Sequence, residues 1–208
     1  MNELLKNSFF RRCVFAVVSD RPCPALEKAR RNNVPTFLIP EPRNHRFSSR
    51  LLSFLREHRI DYVISFFTRL FVGELPAQYR DRIINLHPSL LPSFKGLDGF
   101  GDAVRYGVRY TGSTIHFIDE NVDEGKIIQQ TILPVDPGKT QVEIRHRLFQ
   151  QQCKSLLQVM RWLEDGRIQV RGNRVSVVGA SFSDFEYSPG LDFGDALELD
   201  IPFKGAVA

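Results

Sequence analysis

The apolar positions of the chain follow two alternating patterns through its first half. Cys13-Val14-Phe15-Ala16-Val17-Val18 is a continuous apolar run, as expected of a parallel strand buried on both faces. Ser19-Asp20-Arg21-Pro22 reads as a turn and residues 23–32 as a helix. Val34 to Ile39 is a second strand, closed by Pro40. Residues 47–58 set Phe47, Leu51, Leu52, Phe54 and Leu55 on a helical period. Tyr62-Val63-Ile64-Ser65-Phe66-Phe67 is a third strand, and a short helix separates it from a fourth at Ile83 to His87. Strand alternating with helix predicts an α/β fold with a mostly parallel sheet flanked by helices.

The second half changes character. Residues 98–107 look helical, and residues 111–118 and 127–134 are strands flanking the Asp119–Gly125 loop. Thr140-Gln141-Val142-Glu143 is a capping box, in which the Thr hydroxyl and the Glu carboxylate satisfy free N–H groups at a helix start. That helix should run to about Glu164 and stop at Asp165-Gly166. Residues 168–171 and 174–179 suggest a hairpin across Gly172-Asn173. Beyond Ser181 no period is visible. The expectation is a domain over residues 1–180 and an irregular surface tail over 181–208.

The candidate chemistry sits at the end of the fourth strand, in Ile83-Ile84-Asn85-Leu86-His87-Pro88-Ser89-Leu90-Leu91-Pro92. Residues two apart on a strand share a face, so Asn85 and His87 should project together. Pro88 lacks an N–H and disfavours helix at His87, which ends the ladder there. An amide donor and an imidazole aimed at one spot can polarise an acyl oxygen and move a proton. Asp123, 36 positions after His87, supplies an ionisable third group. Taken singly, Asn85 is a turn former, His87 a structural histidine and Asp123 a loop residue. His116, inside a strand, reads as a core or near-site histidine.

The Asn-x-His-Pro-Ser-Leu-Leu-Pro run, the strand Thr111-Gly112-Ser113-Thr114-Ile115-His116-Phe117-Ile118-Asp119 and the loop holding Asp123 together resemble the folate-dependent formyltransferases. Glycinamide ribonucleotide formyltransferases are the nearest likeness, over roughly residues 13–168. The resemblance implies a Rossmann-like formyltransferase fold, with antiparallel strands in the C-terminal half. It implies transfer of a formyl group from 10-formyltetrahydrofolate to a primary amine, without a metal. Asn85, His87 and Asp123 would be the catalytic residues. The folate would lie against backbone groups of Thr68, Arg69, Leu70 and Phe71 and of Ile118, Asp119, Glu120, Asn121, Val122 and Asp123, with Phe71, Ile83 and Val122 as apolar lining. Gln152 falls where the family places a Glu for the acceptor, and Gln lacks the charge that would attract an ammonium group.

A further departure concerns the front of the chain. The first glycine is Gly73, whereas the family opens with a strand and a glycine-rich phosphate loop. Residues 1–9 look like the end of the helix after that loop. A start downstream of the true beginning, a strand from a partner chain, or a rearranged sheet would each account for this. Both departures fall on the acceptor side, so the amine is expected to be glycinamide ribonucleotide-like or an amino sugar nucleotide. A formyltetrahydrofolate hydrolase and a non-catalytic folate- or partner-binding module are the alternatives.

Charge and cysteines narrow the setting. Residues 1–60 hold 12 Lys/Arg against 5 Asp/Glu, within a net charge of +4. Without interleaved aromatics or a recognisable module, this front reads as a solvated surface that steers an anionic substrate, not as a nucleic-acid site. Three widely spaced cysteines give no disulfide framework or metal motif. No apolar stretch could cross a bilayer, and a cytoplasmic setting is expected. The expected partners are folate and a small-molecule amine, with a homodimer as the candidate assembly.

Overall fold

In a computed structural model the described residues are 2–66 and 69–203. The N-terminal half runs α1 (Asn2–Lys6), α2 (Ser8–Cys13), β1 (Val17–Ser19), α3 (Pro24–Arg31), β2 (Thr36–Leu38), α4 (Asn44–Glu57), β3 (Val63–Ser65), α5 (Glu74–Gln78) and β4 (Ile83–His87). The C-terminal half runs α6 (Gly99–Tyr106), β5 (Tyr110–Phe117), β6 (Ile127–Pro134), α7 (Gln141–Glu164), β7 (Ile168–Arg171), β8 (Arg174–Val177), β9 (Tyr187–Ser188) and α8 (Gly194–Glu198). The α/β expectation holds. Strands pair in parallel in the first half (β1 with β2, β3 with β4) and antiparallel in the second.

The strands form two separate sheets and a hairpin. Among the described residues β1 and β2 pair only with each other, the main sheet has the order β3-β4-β5-β6-β9, and β7 pairs only with β8. The strand expected over Cys13–Val18 is shorter and shifted. Cys13 closes α2, whose Asn7 side chain accepts from the Phe10 N–H and whose Phe9 and Phe10 are buried. Phe9 and Phe10 thus anchor a helix where an extended run was anticipated, and β1 keeps three residues beside its single neighbour β2. The strand expected over Tyr62–Phe67 is confined to Val63–Ser65 among the described residues.

α7 is the spine of the main core. Its capping box is present, with Thr140 Oγ1 accepting from the Glu143 N–H and the Glu143 carboxylate accepting from the Thr140 N–H. Ile84, Ile115 and Phe117 of the sheet pack with Leu156, Leu157 and Trp162 of α7. On the other face Ile83, Phe47, Leu51, Leu55 and Leu75 form a second cluster around α4 and α5. Ile83 and Ile84 thus point to opposite layers, as alternation along a strand requires.

The segment beyond Ser181 corrects the expectation of an irregular surface tail. β9 adds to the sheet edge through Gln130↔Ser188 and Thr131↔Tyr187. Gln158 then binds the segment from both ends of its amide. Its Nε2 donates to Asp192 Oδ1 at 2.7 Å, and its Oε1 accepts from the N–H groups of Asp192 and Phe193. Trp162 Nε1 and Arg167 also donate to the Asp192 carboxylate. Polar anchors of this kind leave no hydrophobic period in the sequence.

Candidate functional site

β4 delivers the central residues. Asn85 and His87 lie on one face, and the antiparallel register sets Asn85 opposite His116 of β5. The turn after His87 is tied back to β5. The Leu91 N–H donates to Thr114 Oγ1 at 3.0 Å, and Thr114 donates in turn to the Ser89 carbonyl at 2.8 Å. Gly99 leaves room for the imidazole, since a Cβ there would stand 2.7 Å from His87 Nε2. The loop after β5 closes on itself at Gly125, where a Cβ would meet the Phe117 carbonyl oxygen at 1.7 Å.

Four side chains converge: Asn85, His87, His116 and Asp123. His87 Nε2 lies 2.8 Å from the Phe94 carbonyl oxygen, which can only accept, so Nε2 carries a proton. The other ring nitrogen, Nδ1, faces Asp123 Oδ2 at 3.5 Å. The same carboxylate oxygen accepts the Gly96 N–H at 2.8 Å. Asp123 adopts φ 53°, a left-handed conformation that Asp tolerates better than most residues. Lys95 and Glu124 form an ion pair at 2.7 Å that links the two loops flanking this cluster.

His116 adds a part that sequence reasoning placed only near the site. Its Nδ1 donates to the Phe117 carbonyl at 2.9 Å, which leaves Nε2 to accept from Asn85 Nδ2 at 3.2 Å. Burial pushes the His116 imidazole below its ordinary range, while the bond to Phe117 and the charge of Asp123 act in the opposite direction. A neutral His116 fits both bonds. Asn85 is thereby oriented with one amide N–H on His116 and a second N–H available to an incoming oxygen. Only the β4/β5 register brings His116 to Asn85, and no local sequence signal carries that register.

The other expected site residues scatter. Thr68 lies outside the described residues. Arg69 ties Asp20, Asn44 and the carbonyls of Glu41 and Pro42 together, so its guanidinium is engaged within the fold. Leu70 is exposed and Phe71 is buried among Phe47, Leu51 and Leu75. Ile83 is fully buried in that cluster, so it supports the site from behind and cannot line an open pocket. Its carbonyl accepts from the Ile118 N–H at 2.7 Å. Asp119, Glu120, Asn121 and Val122 are exposed, with Asp119 Oδ1 accepting from the Asn121 N–H. A cavity of about 190 Å³ is lined by Pro76, Ala77, Ile118, Asp119, Glu120 and Lys126 among others. Gln152 is half-buried on α7 and its side chain forms no hydrogen bond among the described residues.

A fold with an Asn, His and Asp cluster where a parallel sheet turns antiparallel defines a class, and sequence comparison agrees. Residues 1–160 match the family model described as formyl transferase, and the chain belongs to that family. The chloroplastic phosphoribosylglycinamide formyltransferase of Arabidopsis thaliana is 31% identical over 184 residues, covering 84% of this chain and 63% of that protein. Glycinamide ribonucleotide transformylase 1 from Symbiobacterium toebii superposes with a TM-score of 0.77 at 32% identity, covering 85% of this chain and 87% of that one. A formyltetrahydrofolate deformylase from Pseudomonas putida KT2440 superposes with a TM-score of 0.73 at 25% identity, covering 86% of this chain and 67% of that one.

Proposed function

We propose that the chain transfers a formyl group from 10-formyltetrahydrofolate to a primary amine of a small, glycinamide ribonucleotide-like acceptor. The observation that carries the reading is the convergence of Asn85, His87 and Asp123 in a chain of the formyl transferase family. The amine nitrogen attacks the formyl carbon, the bond from that carbon to the folate nitrogen breaks, and one amine proton ends on the folate nitrogen. The second Asn85 N–H donates to the formyl oxygen as negative charge grows there. His87 is held beside Asp123, with Nε2 on the Phe94 carbonyl and Nδ1 facing the carboxylate, and helps disperse that charge. Asp123, directly or through water, relays the proton from the amine. The cavity beside Ile118–Glu120 and the exposed residues 119–122 offer a slot for a flat, hydrogen-bonding pterin.

Hydrolysis of formyltetrahydrofolate is the second reading, favoured by the structural likeness to the Pseudomonas putida deformylase. One experiment separates them. The purified chain is titrated with a stable reduced-folate analogue, and formate release is then followed with and without glycinamide ribonucleotide or an amino sugar nucleotide. Saturable binding with amine-dependent consumption of the formyl donor is expected. Formate release that ignores the amine would move the assignment to hydrolysis. Absence of binding by the folded chain would remove both.

A further inference from the structure

The cluster of Asn85, His87, His116 and Asp123 lies between two loops, one joining β4 to α6 and one joining β5 to β6. The second loop is fixed at its base. There the Phe117 N–H donates to the Lys126 carbonyl at 2.9 Å, and the Lys126 ammonium pairs with Asp81 at 2.7 Å. Its tip, residues 119–122, is exposed, and the bond from the Asn121 N–H to Asp119 Oδ1 stays within the tip. Asp123 follows that tip directly, so the aim of its carboxylate depends on what reaches it from outside the loop.

Two contacts reach it from the first loop, and they join neighbouring residues on both sides. The Gly96 N–H donates to Asp123 Oδ2 at 2.8 Å. One residue along on each loop, the Lys95 ammonium pairs with Glu124 Oε1 at 2.7 Å. The backbone at these contacts is of a costly kind. Asp123 has φ 53°, and Phe94, just before Lys95, also has φ 53°. A residue with a side chain keeps such a conformation where its surroundings hold it. Phe94 is held through its carbonyl, which lies 2.8 Å from His87 Nε2 and accepts from Ser89 Oγ at 3.1 Å. For Asp123 the hold is the pair of contacts across the loops. The outer one stands in solvent, with Lys95 36% and Glu124 51% exposed, so its strength depends on salt.

We propose that Lys95 and Glu124 are positioning residues: their ion pair keeps the two loops in register, so that the Gly96 N–H fixes Asp123 Oδ2 in front of His87. The proposal rests on the formyl-transfer reading, in which Asp123 relays the amine proton. A proton relay needs its carboxylate within hydrogen-bond reach and in one orientation. With Oδ2 on Gly96 and 3.5 Å from His87 Nδ1, Oδ1 is left on the His116 side at 3.8 Å from Nε2. Without the ion pair the loops part more often, and the carboxylate spends part of its time out of line. An exposed pair contributes little in water, so the rate falls by a small factor and is not abolished. Neither side chain is placed on the acceptor, so the effect falls on kcat.

The test uses the 208-residue chain with Glu124→Gln, with Lys95→Met, and with the exchanged pair Lys95→Glu and Glu124→Lys. At saturating formyl donor each single variant should lose about threefold in kcat, with the KM for the amine within about twofold, and the exchanged pair should recover most of the loss. Raising salt from about 0.02 M to about 0.5 M should bring the unaltered chain down to the single variants and leave those where they were. Hydrogen exchange at the Gly96 amide should quicken by about threefold in the single variants and slow again in the exchanged pair. Single variants with unaltered kcat and unaltered Gly96 exchange would overturn the inference. So would a loss that the exchanged pair does not recover, since the two charges would then act separately. If the unaltered chain transfers no formyl group, the reading of its activity fails, while Gly96 exchange still decides whether the ion pair joins the loops.

Discussion

The two sides of the molecule use similar strands with different results. Ile83, Ile84 and Ile115 sit in a sheet with neighbours on both edges and are essentially inaccessible. Val17, Val18, Val63 and Ile64, of the same chemical type, are only half-buried beside a cavity that β1 and β3 both line. The site hangs from the closed side, where β4, β5 and two loops hold four side chains by bonds that each have a partner. The lesson is that an apolar run specifies a strand that is able to be buried, whereas burial itself needs a neighbour on each edge.

The sharpest way to break this contrast is at the site. Asp123→Asn should lower the rate of formyl transfer by about 10²- to 10⁴-fold, measured by steady-state turnover, with folate-analogue binding monitored in parallel. An unchanged rate would detach Asp123 from proton transfer. Next in size is a paired test of the two sides. Ile84→Ala, in the closed sheet, should cost about 2–5 kcal/mol by urea denaturation. Val18→Ala, beside that cavity, should cost less than about 1 kcal/mol, since its side chain is already part-solvated. Equal costs would mean that the two sides do not differ in packing.

Asp192→Ala tests whether the C-terminal segment belongs to the closed side. It strips partners from Gln158 and Trp162, both fully buried, and should cost about 1–3 kcal/mol. The smallest expected effect is that of pH. Burial holds His116 below its ordinary value of 6.5, so the unfolded chain takes up the proton first. Its contribution to stability is complete above that value and declines as pH falls below it toward the folded value. Urea midpoints at about pH 7.5 and about pH 5.5 should diverge, and less so in His116→Gln.

Several elements were legible because their signals are local. The capping box of α7, the Gly172-Asn173 hairpin and the β4 run ending at Pro88 each declare themselves within a few residues. The pairing of Asn85 with His87 followed from the period of a strand, and Asp123 from a family likeness. Other features were long-range. Gln158 binds Asp192 across 34 positions and fixes a segment that has no pattern of its own. The Arg69 guanidinium joins Asp20 to the carbonyls of Glu41 and Pro42, across 27 to 49 positions.

By itself the sequence determined the α/β class, most helices and strands, and the face that Asn85 and His87 share. Those follow from backbone geometry and side-chain period, which act over one or two turns. Only the tertiary structure decided that His116 orients Asn85, that Ile83 stands behind the site, and that β1 and β3 line one cavity without pairing among the described residues. These depend on which strand lies beside which, and strand neighbours are set by packing of the whole chain rather than by any short stretch of it.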